Sequence, residues 1–149
     1  MPGEWVELND GTGEQLRKLG SEFGATTGRP RRCGWIDLVA LQFACMINGV
    51  TQIIMTKTDI LDSLEELKVC NGYSIDGEEK NYIPFQINKA KIDPVYKSFE
   101  GWKTDITSIN NYDALPVNMK NYIDYMNQFL KVPVKFISNG PGRDQIVLA

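Results

Sequence analysis

Apolar residues near the middle of the chain fall on nearly every face of a helical projection. They run from Trp35 to Ile47, and a helix that is apolar all round is typically buried. Gly49 follows and is expected to end this helix. A shorter helix is predicted over residues 10–20, with Thr12 as its N-cap, a glutamine three residues later and Gly20 at its end.

A second periodic segment lies near the end of the chain. Asp113 is expected to cap a helix that carries Pro116 in its first turns. Apolar side chains then recur at helical spacing, which predicts one face packed on a core. These residues are Met119, Tyr122, Ile123, Met126, Phe129 and Leu130.

Strand patterns alternate with these helices. The β-branched run at 50–55 has the length of a strand, and it is followed by "TKTD" and by a helical pattern at 60–67. Two alternating runs over 66–85 flank Asp-Gly at 76–77, which predicts a hairpin. A further strand is expected at 132–138. This alternation of strands and helices is typical of the α/β class.

Composition narrows the class of protein. The chain has 149 residues, which suits one ordinary domain, and a net charge of -3. No overall positive field would attract nucleic acid or an acidic membrane, although a local basic cluster could bind a small anion. No apolar run is long enough to span a bilayer, and the polar opening lacks a signal-peptide pattern. We therefore expect a cytoplasmic protein with neither nucleic-acid nor membrane partners.

Cysteine and histidine usage limits the available chemistry. Cys33, Cys45 and Cys70 are odd in number and lack CxxC spacing, so we expect reduced thiols and no metal site in this chain. The sequence contains no histidine. That absence excludes the most common general base and the Ser/His/Asp and Cys/His nucleophile systems.

The loop at 56–59, "TKTD", follows a predicted strand directly. A carboxylate at Asp59 can accept two hydrogen bonds, and guanine offers two matching donors at N1–H and its 2-amino group. Adenine would leave that carboxylate unpaired, and the aliphatic stem of Lys57 can lie along a base. The alternative is a solvated turn in which Asp59 caps the helix over 60–67.

A glycine-rich turn, "ISNGPGRD", follows the predicted strand at 132–138. Such a turn frees backbone N–H groups, which could donate to the 6-oxo group of guanine. A plain β-turn is the alternative. Because ligands of open α/β sheets bind at the carboxyl ends of strands, both turns are candidate sites.

Three of the five arginines lie within residues 29–32, after "GATTG". Gly24 and Gly28 permit tight backbone geometry, and arginine recognises carboxylate and phosphate in a bidentate manner. On an extended segment Arg29 and Arg31 would share one side and a ligand, while Arg32 would pair elsewhere. A solvated basic turn is the alternative reading.

Taken together, these segments resemble the C-terminal part of the adenylosuccinate synthetase family. "GATTGRPRRCGWIDLVAL" is similar to the aspartate-loop signature, "TKTD" to the guanine-binding Thr-Lys-Leu-Asp and "ISNGPGRDQ" to the terminal guanine-contact loop. The resemblance covers nearly the whole chain in one order. It implies a P-loop-NTPase-like α/β fold, of which residues 1–149 would be a single C-terminal domain. That domain would have a mixed, largely parallel sheet, packed helices and a β-hairpin.

The resemblance also implies roles for individual residues. An aspartate loop at 24–32 would bind L-aspartate and IMP, and guanine loops at 56–59 and 138–142 would bind GTP. Arg31 would stabilise transition-state charge between aspartate and the GTP γ-phosphate, and Arg29 would also contact the ribose of the nucleotide. The implied aspartate and IMP contacts are Ala25, Thr26, Thr27, Gly28, Arg29 and Arg31, and the implied GTP contacts are Arg31, Lys57, Thr58, Asp59, Ser138, Asn139 and Gly140.

The family joins IMP and L-aspartate at the expense of GTP, with Mg²⁺ as cofactor. No GxxxxGK[ST] or related Gly-Lys loop occurs in this sequence, so we expect a fragment that is inactive alone. A divided sheet would leave an edge strand and an apolar face uncovered, so we expect the fragment to self-associate or to keep a lid over that face. The resemblance implies a homodimer for the full-length enzyme. The alternatives are a non-catalytic guanine-nucleotide-binding module and an engineered fragment without activity.

Overall fold

A computed structural model describes residues 6–84 and 91–149 of the chain. The chain forms two compact units, one of residues 1–43 and 68–98 and the other of residues 44–67 and 99–149. The polypeptide passes from one unit to the other three times, each time inside a helix or a strand. The division therefore does not test the single domain at 1–149, which stays a prediction.

Helices and strands are mixed along the chain, as expected for the α/β class, although four strands follow one another between α2 and α3. In chain order they are α1 (Gly11–Leu19), β1 (Ile36–Asp37), α2 (Leu38–Asn48), β2 (Ile53–Met55), β3 (Glu66–Ile75), β4 (Glu78–Lys80), β5 (Ile92–Glu100), α3 (Val117–Leu130), β6 (Val134–Ser138) and β7 (Ile146–Leu148). Short 3₁₀ turns occupy Thr58–Leu61 and Tyr112–Ala114.

The sheets are mixed, as expected. In the first unit β3 pairs with β1 in parallel and with β4 in antiparallel fashion, and β5 also pairs with β3. In the second unit β6 pairs with β2 in parallel and with β7 in antiparallel fashion. The strands are thus distributed over two small sheets, and β7 is a strand that the sequence pattern did not predict.

The hairpin of β3 and β4 turns at Asp76 and Gly77 as predicted. Both residues have positive φ, 52° and 90°, which an Asp-Gly pair adopts readily. The second strand ends at Lys80. The predicted end of the hairpin, residue 85, lies outside the described residues.

Helix α1 confirms the prediction over 10–20 except at its start. Asp10, not Thr12, is the N-cap, because its extended backbone lets its carboxylate accept from the Gly13 N–H at 3.1 Å. Thr12 lies one residue inside the helix. Gly20 ends the helix as expected.

Helix α2 begins at Leu38 and not at Trp35, because residues 36–37 form β1. Asp37 caps it by accepting from the Ala40 N–H at 3.0 Å, and its other oxygen accepts from the Tyr73 hydroxyl at 2.6 Å. Gly49, with φ of 59°, ends it as predicted. The helix is not buried all round, since three of its apolar side chains are exposed: Phe43, Met46 and Ile47.

The predicted helix over 60–67 is wrong. Only the 3₁₀ turn Thr58–Leu61 forms, and the chain then enters β3 at Glu66. Asp62 explains the break, because its carboxylate accepts from the Trp102 indole N–H at 2.7 Å and from the Ile106 N–H at 3.0 Å. A helix over this segment would have to give up these two hydrogen bonds.

Helix α3 follows the predicted periodicity but starts later than expected. Pro116 occupies the N-cap position, and Asp113 lies in the preceding 3₁₀ turn, where its N–H donates to the Asn111 side chain. The predicted core face is confirmed except at Phe129, which is half-buried. The buried residues of this face are Met119, Tyr122, Ile123, Met126 and Leu130.

Candidate functional site

The arginine loop, residues 24–32, folds back on itself in the first unit. The Gly24 N–H donates to the Arg29 carbonyl at 2.9 Å, and the Gly28 N–H donates to the Gly24 carbonyl at 2.8 Å. Gly28 has a φ of 64°. A Cβ on Gly24 would lie 2.7 Å from the Thr27 hydroxyl oxygen. The tight backbone geometry expected at these two glycines is present, and the positive φ of Gly28 is the feature that favours glycine.

Two of the three arginines have carboxylate partners. Arg31 pairs with Glu22 at 3.0 Å, and Arg32 pairs with Glu7 at 3.6 Å. Both arginines are largely exposed, so these ion pairs are weak and easily exchanged for a ligand. The described residues offer the Arg29 guanidinium no hydrogen bond or ion pair. Arg32 thus has a different carboxylate partner from Arg31, although all three arginines line one cavity.

The backbone at Arg31 is held more firmly than its side chain. Its N–H donates to the Glu22 carbonyl at 3.0 Å, and its carbonyl accepts from the Arg17 side chain at 2.8 Å. Glu22 and Arg17 are supports that the sequence analysis did not identify. No motif marks them, because their roles depend on the loop returning to the end of α1.

A cavity of about 530 Å³ opens beside this loop. Three arginines of the loop contribute to its lining. Guanidinium groups around a small cavity favour carboxylate or phosphate groups. Its lining includes Glu7, Gly24, Thr27, Arg29, Arg31, Arg32 and Cys33.

The three cysteines are free thiols, but their exposure differs. Cys33 is half-buried at the cavity, whereas Cys45 and Cys70 are buried. Burial and the nearby Asp37 carboxylate raise the pKa of the Cys70 thiol to about 11.

We expect iodoacetamide at pH 8 to label Cys33 alone in the native chain. The thiolate is the reactive form, and neither buried thiol is accessible. Peptide mass spectrometry after a timed reaction measures the result, with the urea-unfolded chain as the control in which all three react. Equal labelling of Cys70 and Cys33 in the native chain would contradict the packing around β3.

The two candidate guanine loops lie side by side in the second unit. Residues 56–59 follow β2, and residues 138–142 follow β6. Because β2 and β6 are parallel neighbours, both loops leave the same edge of the sheet. The Thr58 hydroxyl ties them together by donating to the Ser138 carbonyl at 2.9 Å.

The side chains of these loops differ in what they can offer a ligand. Thr58 and Asn139 are fully buried, and their side chains bind the protein itself. Lys57 adopts the left-handed region, with φ of 57°, and is exposed. Asp59 is half-buried, and the described residues give its carboxylate no hydrogen bond. This carboxylate is therefore available to accept from a ligand.

Asp62 and Gln145 support these loops, and the sequence analysis identified neither. Burial raises the pKa of the Asp62 carboxyl, although its hydrogen bonds from Trp102 and Ile106 oppose the shift. Gln145 bonds both to the loop after β6 and to Thr107. No local signal marks either residue, because their partners are distant in sequence.

Within residues 6–84 and 91–149, no three Asp, Glu or Cys side chains gather as a metal cluster would require. These residues therefore offer no ready-made cluster of three protein ligands for Mg²⁺, which commonly takes one or two carboxylates together with substrate phosphates. No helix in the same part of the chain has the length and apolarity needed to cross a membrane.

Comparison with known proteins identifies relatives of this chain. The family model for adenylosuccinate synthetase matches residues 3–147. The adenylosuccinate synthetase of Flavobacterium johnsoniae is 47% identical over 142 residues, which are 95% of this chain and 34% of that protein. That of Flavobacterium psychrophilum is 49% identical over 135 residues, which are 91% of this chain and 32% of that protein.

A solved structure agrees with these matches. The fully ligated adenylosuccinate synthetase of Plasmodium falciparum superimposes with a TM-score of 0.90 and 40% identity, over 97% of this chain and 35% of that one. The chain thus spans about a third of the length of the relatives it matches. On the family match and this shared fold, the chain belongs to the adenylosuccinate synthetase family.

Proposed function

We propose that this chain supplies the guanine-binding and aspartate-binding loops of an adenylosuccinate synthetase, which joins IMP and L-aspartate at the expense of GTP. One observation supports the proposal that the chain binds guanine. The loops 56–59 and 138–142 leave the same edge of the sheet and are tied by the hydrogen bond from Thr58 to Ser138. The predicted side chains and backbone amides are therefore close enough to contact one base.

In this proposal Asp59 selects guanine. Its carboxylate accepts from N1–H and the 2-amino group, and adenine offers neither donor at those positions. Lys57 covers the base, while the backbone of Ser138, Asn139 and Gly140 closes the side of the 6-oxo group. Thr58 contributes by holding the two loops together, since its side chain is already bonded to Ser138.

The arginine loop is proposed to bind L-aspartate and IMP through residues 25–31. Thr27 and Arg29 hold the aspartate carboxylates, Arg29 also contacts the ribose, and Arg31 lies between aspartate and the γ-phosphate of GTP. Arg31 must exchange Glu22 for these anions, which its exposed ion pair permits. A guanidinium at this place stabilises charge that develops when phosphate moves to the 6-oxygen of IMP and aspartate then displaces it.

The remaining requirements of the reaction are assigned to polypeptide beyond this third of the family's length. They include the phosphate-binding glycine loop and the ligands of Mg²⁺. We therefore propose that the chain alone is inactive, and that the complete enzyme is a cytoplasmic homodimer. The inactivity of the chain is supported by the absence of GxxxxGK[ST] in the sequence and by the third of its relatives' length that it spans, whereas the homodimer and the cytoplasmic location are carried over from the family resemblance.

Calorimetric titration of the chain with GDP, and with ADP as the control, tests the guanine proposal. We expect weak binding of GDP and none of ADP, because the half-site selects the base without a phosphate loop. Equal binding of both nucleotides would argue for a non-selective anion site. No binding of either would show that the half-site is not formed in this chain.

An exposed apolar sheet face predicts self-association of the chain. Ile54, Phe136 and Leu148 are cross-strand partners on one face of the second unit's sheet, and Ile54 and Leu148 are 61% and 65% exposed. We expect Ile54→Lys to shift the chain toward monomer, because the charge would have to be buried in the associated form. Sedimentation equilibrium over a range of concentrations measures the shift.

Val117→Lys is the matched control, since Val117 is 66% exposed but lies at the start of α3. It should leave the association unchanged. A wild-type mass that stays monomeric at every concentration would contradict the prediction. An equal effect of both variants would place the contact elsewhere.

A further inference from the structure

Gln145 joins the loop after β6 to a second loop through both ends of its side-chain amide. Its Oε1 accepts from the Gly142 N–H at 2.8 Å, and its Nε2 donates to the Thr107 carbonyl at 3.0 Å. Its backbone closes the same loop, because its carbonyl accepts from the Asn139 N–H at 3.1 Å and its N–H donates to the Gly142 carbonyl at 3.2 Å. One residue thus makes four hydrogen bonds that shape residues 139–145.

The amide of Gln145 also occupies the space beside two glycines. A Cβ added at Gly140 would meet the Gln145 Cδ and Oε1 atoms, and one added at Gly142 would lie 2.9 Å from Oε1. Glycine at 140 and 142 therefore lets the amide approach the backbone of the loop. The Gly-Pro-Gly sequence at 140–142 and the side chain of Gln145 therefore pack together as one structural unit.

The turn at 106–109 contacts this loop and is itself held by hydrogen bonds. Asn139 Nδ2 donates to the carbonyls of Ile106 and Ile109, so the turn at 106–109 supports the loop from the other side. Asp62 holds that turn through the Ile106 N–H, and the Asp62 N–H donates to the Asp59 carbonyl at 3.2 Å. A continuous set of hydrogen bonds thus connects the backbone of Asp59 with the loop at 138–142.

These bonds leave a single backbone donor in residues 139–142. The Asn139 N–H is bonded to Gln145, the Gly142 N–H is bonded to the Gln145 side chain, and Pro141 has none. Within residues 139–142, the Gly140 N–H is therefore the backbone donor left to bind a ligand. Because Gln145 occupies the Gly142 N–H and holds the backbone around Gly140, it determines which donor residues 139–142 present.

We infer that Gln145 is a positioning residue for guanine recognition, which aims the Gly140 N–H at the 6-oxo group of the base. The inference rests on the proposed guanine site and assigns a part of it that Asp59 does not cover. Asp59 reads N1–H and the 2-amino group. Gln145, through Gly140, governs the contact with the 6-oxygen.

Nucleotide analogues separate these two contacts. IDP lacks the 2-amino group but keeps the 6-oxygen, whereas 6-thio-GDP keeps the 2-amino group and replaces the oxygen by sulfur, a weaker acceptor. We expect Gln145→Met, which keeps the length of the side chain and removes both hydrogen bonds, to weaken GDP and IDP about tenfold each. The loss for 6-thio-GDP should be smaller. Calorimetric titration measures all three affinities.

Gln128→Met is the matched control, because Gln128 is exposed on α3, and it should change none of the three. Unchanged GDP affinity in Gln145→Met would overturn the inference while the guanine site stands. A loss for GDP but not for IDP would also overturn it, since the contact would then be with the 2-amino group. Wild-type chain that binds no GDP would overturn the proposed site and the inference together.

A second measurement needs no variant and guards against a substitution that unfolds the loop. Amide hydrogen exchange of the wild-type chain should show a protected Gly142 N–H and an unprotected Gly140 N–H without nucleotide. Saturation with GDP should protect Gly140 and leave Gly142 unchanged. Rapid exchange at Gly142, or no change at Gly140 in chain shown to bind GDP, would overturn the inference.

Discussion

Replacing Asp59 by alanine is expected to abolish the preference of the chain for guanine. The carboxylate is proposed to accept two hydrogen bonds from the base, and hydrogen bonds to a charged group contribute about 1.5–3 kcal/mol each. Loss of the pair should weaken GDP binding by about 100-fold or more. Calorimetric titration with GDP and ADP measures the change, and the two nucleotides should become equally poor ligands.

Asp59→Asn gives a sharper version of the same test. Asparagine keeps one acceptor and gains a donor, which mismatches the guanine 2-amino group but matches the 2-oxo group of xanthine. The variant should therefore lose GDP and gain xanthosine diphosphate. Asp124→Asn, on the exposed side of α3, is the matched control and should do neither. Retention of GDP binding by Asp59→Asn would place the base elsewhere.

The sequence predicted those parts of the fold that depend on local patterns. The core face of α3 follows from the spacing of its apolar residues, and the hairpin of β3 and β4 follows from Asp76 and Gly77. Both features need only residues a few positions apart. The positions of the two guanine loops could also be predicted from a local pattern, because each loop directly follows a strand with a clear β-branched pattern.

The failures came where distant residues decide the local structure. The pattern at 60–67 has helical spacing, but Asp62 binds Trp102 and Ile106, about 40 residues later in the chain. Helix α2 is apolar on nearly every face, yet Met46 and Ile47 are exposed. Periodicity reports how much apolar surface a helix has, and it does not report which parts of the structure cover that surface.

The same distinction between local patterns and contacts of distant residues applies to the candidate site. Asp59 and the arginines were found because their chemistry is visible in a short motif. Gln145, Asp62 and Glu22 were missed because each acts on a backbone group or a side chain that only the fold brings near. Supporting residues of this kind carry no signature in one sequence, although they fix the geometry that the motif residues need.

Gly101→Ala is expected to destabilise the second unit more than any surface substitution. A Cβ at this position would overlap the Leu64 carbonyl oxygen and lie 2.9 Å from its carbonyl carbon. Both atoms belong to the backbone, so no side chain can move aside to make room. We expect a loss of about 3 kcal/mol in the free energy of unfolding, measured by urea denaturation.

The position of Gly101 extends this effect to the guanine loops. Its N–H donates to the Glu65 carbonyl at 2.8 Å, and its carbonyl accepts from the Asn118 side chain at 3.1 Å. The chain continues from there through Trp102 to the turn at 106–109 that supports Asn139. A shift at Gly101 should therefore reduce protection of the Gly142 N–H as well as stability.

Gly11→Ala provides the matched control. A Cβ there meets nothing within 4 Å, and Gly11 opens α1, where alanine is favoured over glycine by up to about 1 kcal/mol. That variant should be at least as stable as the wild-type chain and should leave exchange at Gly142 unchanged. Equal stability of Gly101→Ala and the wild type would mean that the close approach of Gly101 to Leu64 is not maintained in solution, and the anchor of the 106–109 turn would then have to lie at Asp62 alone.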